Sequence, residues 1–238
     1  MALPKFNNEQ YIYELTVPST KEKVKYRPFL VKEQKTLLIA FESQDPKQLF
    51  NAMINNLESC VSNIDTKKLA TFDVDYMFTQ VRSKSVGETS KVSGKCSECE
   101  HINEVTINLN DISVDQDDVK DNVIKLTDEI SVVMKYPTYY DLQKSDDKIF
   151  GDAGVTEVLF ETIMMCLDSV QTPEENISIK DESREEIEEF INQLTNQQLE
   201  KITEFVQSIP SLTHTVEYVC SNCNYTNHTT LKGFQDFF

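Results

Sequence analysis

Apolar positions along the chain fall into short alternating runs and longer helical stripes, and each kind of run occurs twice. Residues 11 to 17, Tyr-Ile-Tyr-Glu-Leu-Thr-Val, alternate as a half-buried strand does. Residues 18 to 23 are polar and turn-forming, and Val24 to Arg27 returns as the second arm of a hairpin ended by Pro28. From Val31 the period becomes helical, with Leu37, Leu38 and Phe41 about one turn apart. Asp45-Pro46 places an N-cap and a first-turn proline at the head of the next helix. That helix carries the stripe Leu49, Phe50, Met53, Ile54, Leu57 and Val61. A third helix starts near Asp73 and turns Tyr76, Met77 and Val81 inward. After Gly87 the pattern reads strand, a knuckle at Cys96-Ser97-Glu98-Cys99, and strand again over Glu104 to Leu109. Asp111 to Asp121, acidic and free of glycine, reads as a surface connection.

The second half repeats this order. Val123 to Leu126 and Ile130 to Tyr136 predict a hairpin. Helices are predicted over Val155 to Ser169, Ser183 to Leu194 and Asn196 to Ile209, with Thr195 as the cap of the last. Thr213 to Val219 leads into a second knuckle, Cys220-Ser221-Asn222-Cys223, and Thr229 to Leu231 leads out. Residues 49 to 59 align with 159 to 169 at an offset of 110, which also sets Tyr26, two residues before Pro28, on Tyr136, next to Pro137. Cys96 and Cys99 align with Cys220 and Cys223 at an offset of 124. The difference implies an insertion of about 14 residues, for which the acidic run Asp181 to Gln193 is the natural candidate. The expected fold is therefore α+β, a tandem duplicated unit of β-hairpin, helices and strand–knuckle–strand. Residues 1–115 form the first repeat and 116–238 the second, in one compact molecule.

The knuckles supply the clearest candidate chemistry. Two Cys-x-x-Cys pairs provide the four thiolates of a tetrahedral zinc site, since one tight turn presents both sulfurs of a pair to one ion. Cys96, Cys99, Cys220 and Cys223 are thus the expected ligands of a structural Zn2+, which would join the two copies in a zinc-ribbon-like site. Four thiolates close the coordination sphere and leave no position for a substrate. A redox dithiol uses the same spacing but sits at a helix N-terminus after a strand, and both knuckles lie between strands. His101 and His228 stand beside the knuckles, where they read first as exposed polar turn residues and secondarily as alternative ligands or hydrogen-bond donors. Cys60 and Cys166 lie alone in apolar helical stretches and read as small buried hydrophobes.

Charge narrows the partners. Forty acidic residues against 23 basic ones give a formal charge of −17 and a pI of about 4.6. Such a field repels nucleic-acid phosphates and anionic membrane surfaces, so neither is an expected partner. No apolar run approaches the 18 or so residues of a membrane span, and the first residues lack the apolar stretch of a signal peptide. No Gly-rich phosphate loop, Gly-x-Ser-x-Gly elbow or His-Glu-x-x-His occurs, and the carboxylates fall in runs that read as solvated faces. The reading is non-enzymatic, with no small-molecule substrate. Arg27, Lys32, Arg82 and Lys84 concentrate positive charge in this acidic chain and either pair internally or meet an acidic partner.

Leu3-Pro4-Lys5, Tyr26-Arg27-Pro28-Phe29-Leu30-Val31-Lys32-Glu33, Phe72-Asp73-Val74-Asp75-Tyr76 and Arg82-Ser83-Lys84-Ser85-Val86-Gly87, followed by the first knuckle, carry a resemblance. Together they resemble the baseplate hub subunit family of T-even-type contractile-tailed bacteriophages, most specifically over about the first 110 residues. The resemblance implies a hub component or hub assembly factor in tail morphogenesis. It would dock on other baseplate hub and tail proteins, in the host bacterial cytoplasm during assembly and in the virion tail baseplate if retained. A zinc-ribbon adaptor in phage transcription or replication is the alternative. Adaptors of that kind surround their knuckles with basic residues, whereas Glu98, Glu100, Asn222 and Asn224 occupy these positions here.

Overall fold

A computed structural model describes residues 12–116, 120–144 and 154–237. They group into two units, Met1–Asp115 with Ser211–Phe238, and Gln116–Pro210.

The first unit starts with the expected hairpin, β1 (Tyr13–Thr16) against β2 (Lys23–Tyr26), in antiparallel register with Tyr13 opposite Tyr26. Three helices follow: α1 (Val31–Ser43), α2 (Pro46–Cys60) and α3 (Thr71–Ser85). Asp45 caps α2, its carboxylate accepting from the Lys47 N–H at 2.9 Å. Asp73 is fully buried and accepts from the Ser19 N–H (2.8 Å) and the Ala70 N–H (3.2 Å), which ties the β1–β2 turn to the head of α3. Met53, Leu57, Val74, Met77 and Val81 have no exposed surface and form the helical core. Tyr76, expected inward, is half-buried. α1 differs from its sequence pattern: Leu37 is buried, while Leu38 and Phe41 face solvent. After α3 come β3 (Thr89–Lys95) and β4 (Ile102–Asn108), an antiparallel pair whose connecting turn is the first knuckle. The acidic stretch after it is more than a surface connection, because Ser113–Asp115 forms a short strand, β5.

The second unit carries an antiparallel sheet in the order β6 (Val123–Lys125), β7 (Ser131–Met134), β8 (Leu167–Gln171), β9 (Asn176–Ser178). Its helices are α4 (Tyr139–Lys144), α5 (Val155–Cys166), α6 (Arg184–Asn192) and α7 (Asn196–Gln207). The helix expected to reach Ser169 stops at Cys166. Leu167 instead pairs with Met134, and Leu167, Ser169 and Val170 are buried. Ser183 and Thr195 cap α6 and α7 through reciprocal hydrogen bonds with Glu186 and Gln198. Val132, Ile163, Cys166 and Ile202 are fully buried at the centre of this unit's core.

From Ser211 the chain rejoins the first unit as β10 (Ser211–Val219) and β11 (Thr226–Lys232), with the second knuckle between them. β5 pairs with the start of β10, giving a sheet in the order β11–β10–β5. Val92 and Ile107 of the first knuckle hairpin and Val216 and Leu231 of the second share one core cluster with Leu212 and Phe237. Residues 211–238, read from sequence as the end of a second repeat, thus belong with the first knuckle.

Candidate metal centre

Each knuckle is built the same way. The Cys96 N–H donates to the His101 carbonyl (2.9 Å) and the Cys220 N–H to that of Tyr225 (2.8 Å). The Glu100 N–H returns to the Cys96 carbonyl and the Asn224 N–H to that of Cys220, both at 3.0 Å. Glu100 and Asn224 each adopt a left-handed φ of 59°, the residue after the second cysteine in both cases. The turn thereby folds both sulfurs of each pair onto one side.

The two turns bring all four sulfurs together. Cys96 Sγ lies 3.7 Å from Cys223 Sγ, Cys99 Sγ lies 3.7 Å from Cys220 Sγ, and the four are within 4.8 Å of one another. A tetrahedron of sulfurs about 2.3 Å from a central ion has edges of about 3.8 Å. The set therefore fits a single four-coordinate metal. His101 and His228 stand outside it, and the His228 ring faces Glu217 at 3.4 Å on the exposed side of the sheet.

The sequence reading missed the residues that lock this arrangement. Asn103 follows the first knuckle and grips the second: its Oδ1 accepts from the Ser221 N–H (2.9 Å) and hydroxyl (3.0 Å), and its Nδ2 lies 3.7 Å from Cys220 Sγ. Asn227 does the converse, accepting from the Ser97 N–H (2.9 Å) and hydroxyl (3.1 Å), with Nδ2 3.5 Å from Cys96 Sγ. Each amide also donates to its own knuckle, Asn103 to the His101 carbonyl and Asn227 to the Tyr225 carbonyl, both at 3.1 Å. Both side chains are buried. The offset between them, 227 − 103 = 124, is that of the cysteines, so the signal was legible as Cys-x-x-Cys-x-x-x-Asn, present twice.

The same equivalence places Gly94 of β3 opposite Tyr218 of β10. A Cβ at Gly94 would lie 2.7 Å from the Tyr218 ring, whose hydroxyl donates to the Lys95 carbonyl at 3.0 Å. A large residue on one hairpin fills the space left by the missing side chain on the other, so the two knuckle hairpins are equivalent in backbone but complementary in volume.

The electrostatics follow from crowding and from the N–H groups. Burial works to raise the Cys220 thiol, but the N–H groups of Cys223 and Asn222 and the Asn103 amide outweigh it and bring it down to about 6. Cys96 is lowered in the same way, burial being outweighed by the Cys99 and Glu98 N–H groups and the Asn227 amide. Cys223 is pushed up to about 12: the Tyr225 N–H favours its thiolate, but desolvation and the neighbouring sulfurs prevail. Four thiolates this close repel one another, and a divalent cation among them removes that repulsion. Cys60 and Cys166 are a different case. Burial pushes their thiols up to about 11 and about 12, and both are packed as hydrophobes.

Of the four basic candidates, Arg27 and Lys32 meet on Glu33, while Arg82 and Lys84 lie on α3. Arg27 donates to Glu33 (2.8 Å) and to the Ser59 carbonyl (2.9 Å), joining β2, α1 and the end of α2. Lys32 lies 3.3 Å from Glu33 with its own side chain 71% exposed. Arg82 is half-buried, with desolvation lowering its pKa, and Lys84 pairs with Glu88. Among the described residues no helix is long and apolar enough to cross a membrane. Residues 9–238 match the family described as T4 bacteriophage base plate protein. Neither a curated protein nor a solved structure matches the chain.

Proposed function

Because the chain belongs to the T4 bacteriophage base plate protein family, we propose that it is a non-enzymatic component or assembly factor of the baseplate hub, acting by docking on other hub and tail proteins. The family match over nearly the whole chain carries this reading. The formal net charge of −17 and the closed sulfur set agree with it, since neither offers a nucleic-acid face nor an open ligand position. Such a protein works in the host cytoplasm while tails assemble. Of the four basic residues, Lys32 is the one placed to meet an acidic partner, being the most exposed and only loosely paired. Affinity capture from infected cells, together with protein analysis of purified tails, tests the role. The expected result is recovery with hub proteins; a chain that binds no tail protein and is absent from tails and their assembly intermediates would overturn it. Retention in finished particles would make it a component, and presence in intermediates alone an assembly factor.

We further propose that Cys96, Cys99, Cys220 and Cys223 hold one Zn2+, the metal that four thiolates in a tetrahedral set favour. The ion would supply charge and cross-linking, with no reaction of its own. A duplication origin for the chain is likewise a proposal. Two local geometries support it. One is the knuckle–asparagine arrangement. The other is a strand-to-helix-end joint, in which the Arg27 N–H donates to the Cys60 carbonyl (3.0 Å) and the Lys135 N–H to that of Cys166 (2.7 Å). Tyr26 faces Val61 at the first joint and Met134 faces Leu167 at the second. These recur at offsets of 108 and 106 in place of the 110 read from sequence, because the helix ends, and not the apolar stripes, are the equivalent points.

A further inference from the structure

Helix α1 carries two opposite stripes. Glu33, Leu37 and Ala40 are its buried contacts. On the other side lie Val31, Lys35, Leu38 and Glu42, at spacings of four, three and four, the repeat that keeps residues on one helical face. Val31 is 80% exposed and Leu38 55%, and Ile39 and Phe41 flank the stripe at 55% and 47%. Four large apolar side chains in contact with water on one 13-residue helix make a patch of the kind that marks an interaction surface.

The charges on the stripe identify what fits it. Lys35 and Glu42 are exposed, and among the described residues neither forms an ion pair. They are seven residues apart, about 10.5 Å along the axis, and lie symmetrically about the Leu38–Ile39 peptide. A uniformly acidic partner would meet Glu42 with like charge, and a uniformly basic one would meet Lys35 so. The same stripe read in the opposite direction presents Glu at the height of Lys and Lys at the height of Glu. We propose that α1 docks antiparallel on α1 of a second copy of this chain. Leu38 and Ile39 of both copies would lie at the centre, with Lys35 of each copy beside Glu42 of the other. A twofold contact requires this self-complementarity.

Sedimentation or light scattering of the full chain from micromolar to near-millimolar concentration tests the proposal. The mass is expected to rise toward that of a dimer. Lys35→Glu and Glu42→Lys should each weaken association about tenfold or more, since each turns two attractions across the axis into two repulsions. Lys35→Glu with Glu42→Lys in one chain should restore it to within about threefold, because the swapped pairs again match. Leu38→Ser should weaken it as well. All three positions are solvent-exposed, so unchanged thermal melts will show that the variants are folded. A chain that stays monomeric throughout overturns the inference. So does a dimer indifferent to these substitutions, or a double variant no better than the single ones.

Discussion

Replacing Asn103 or Asn227 by alanine is the sharpest test of how the knuckles are joined. Asn103→Ala removes two bonds accepted from Ser221, the bond to the His101 carbonyl and the N–H contact to Cys220 Sγ. The Ser221 N–H is then left without its partner at an exposed turn residue. Losing such a part-buried bond costs about 0.5–1.5 kcal/mol. An asparagine that orients metal ligands acts in addition through the site, where loss of such a partner lowers affinity about 10–100-fold, or about 1.4–2.7 kcal/mol. Asn103→Ala is therefore expected to destabilise the metal-loaded protein by about 2–4 kcal/mol. The pseudo-equivalence adds a constraint: Asn227→Ala should cost the same to within about 1 kcal/mol, because its bonds duplicate those of Asn103 except for the long 3.4 Å bond from Asn103 to the Gly94 carbonyl. The assays are urea unfolding with metal present, and competition for the metal by a chromogenic chelator. Asn→Asp at either position keeps the acceptor toward the serine but sets a carboxylate against a thiolate. It should spare stability partly and metal affinity less. The reasoning is wrong if both alanine variants unfold and hold metal as the parent does. It is also wrong if one costs several kcal/mol and the other nothing.

The remaining expectations are narrower. Gly94→Ala should destabilise by about 1–3 kcal/mol through the clash with the Tyr218 ring, and Tyr218→Phe, which keeps the ring, should not relieve it; a neutral Gly94→Ala in thermal melts would refute the close approach. Glu100→Gly should be neutral or stabilise by up to about 1 kcal/mol, since a left-handed φ is strained for glutamate and not for glycine; a loss in the same melts would show that the side chain matters more than the backbone. Burial works to raise the Glu33 carboxyl, but hydrogen bonds from Arg27 and the Leu30 N–H outweigh it and hold it below its ordinary 4.5. Ionised Glu33 thus contributes stability at pH values above about 4.5, and the contribution disappears as pH falls through the lowered value. Glu33→Gln should be less stable than the parent at neutral pH, with the gap closing in acid; parallel stability–pH curves would contradict this. Chelation of the metal, or Cys96→Ser or Cys220→Ser, should lower melting temperature and metal content together, and a chain that binds no metal yet melts unchanged would rule out the centre.

Where sequence and structure agree, local physics was sufficient. The helix heads at Asp45, Ser183 and Thr195 were legible because their caps act within three residues. The four cysteines were legible because two-residue spacing has few uses. What was not legible depends on distant pairing. Leu167-Asp168-Ser169 continues a helical apolar pattern and becomes a strand because β7 offers it a partner at Met134. Ser113–Asp115 looks like an acidic connection and becomes a strand because β10 returns beside it, nearly 100 residues later. Leu38 and Phe41 fit the apolar stripe of α1 yet face solvent, since period alone does not say which of two faces a neighbour covers. Asn103 and Asn227 escaped notice because an asparagine after a turn is ordinary; only the repetition at the cysteine offset distinguishes them.

The placement of the second knuckle changes what the metal would do. Read from sequence, it fastened one half of the chain to the other. In the structure both knuckle hairpins lie in one unit, whose chain leaves after β5 and returns at β10, and Gln116–Pro210 is an insertion between those strands. The centre therefore closes a loop of more than 100 residues, most of it the inserted segment Gln116–Pro210. Closing so long a loop is entropically costly, and the cost grows only slowly with further length. The four-cysteine set, two asparagine grips and the β5–β10 pairing all act at that closure. The insertion can therefore vary in length with little effect on the centre, whereas loss of the metal should release β10 and β11 before α1, α2 and α3. Hydrogen exchange after chelation would show it as early loss of protection in residues 211–237 with the helices still protected. Simultaneous loss throughout the unit would mean that the centre is integral to its whole core.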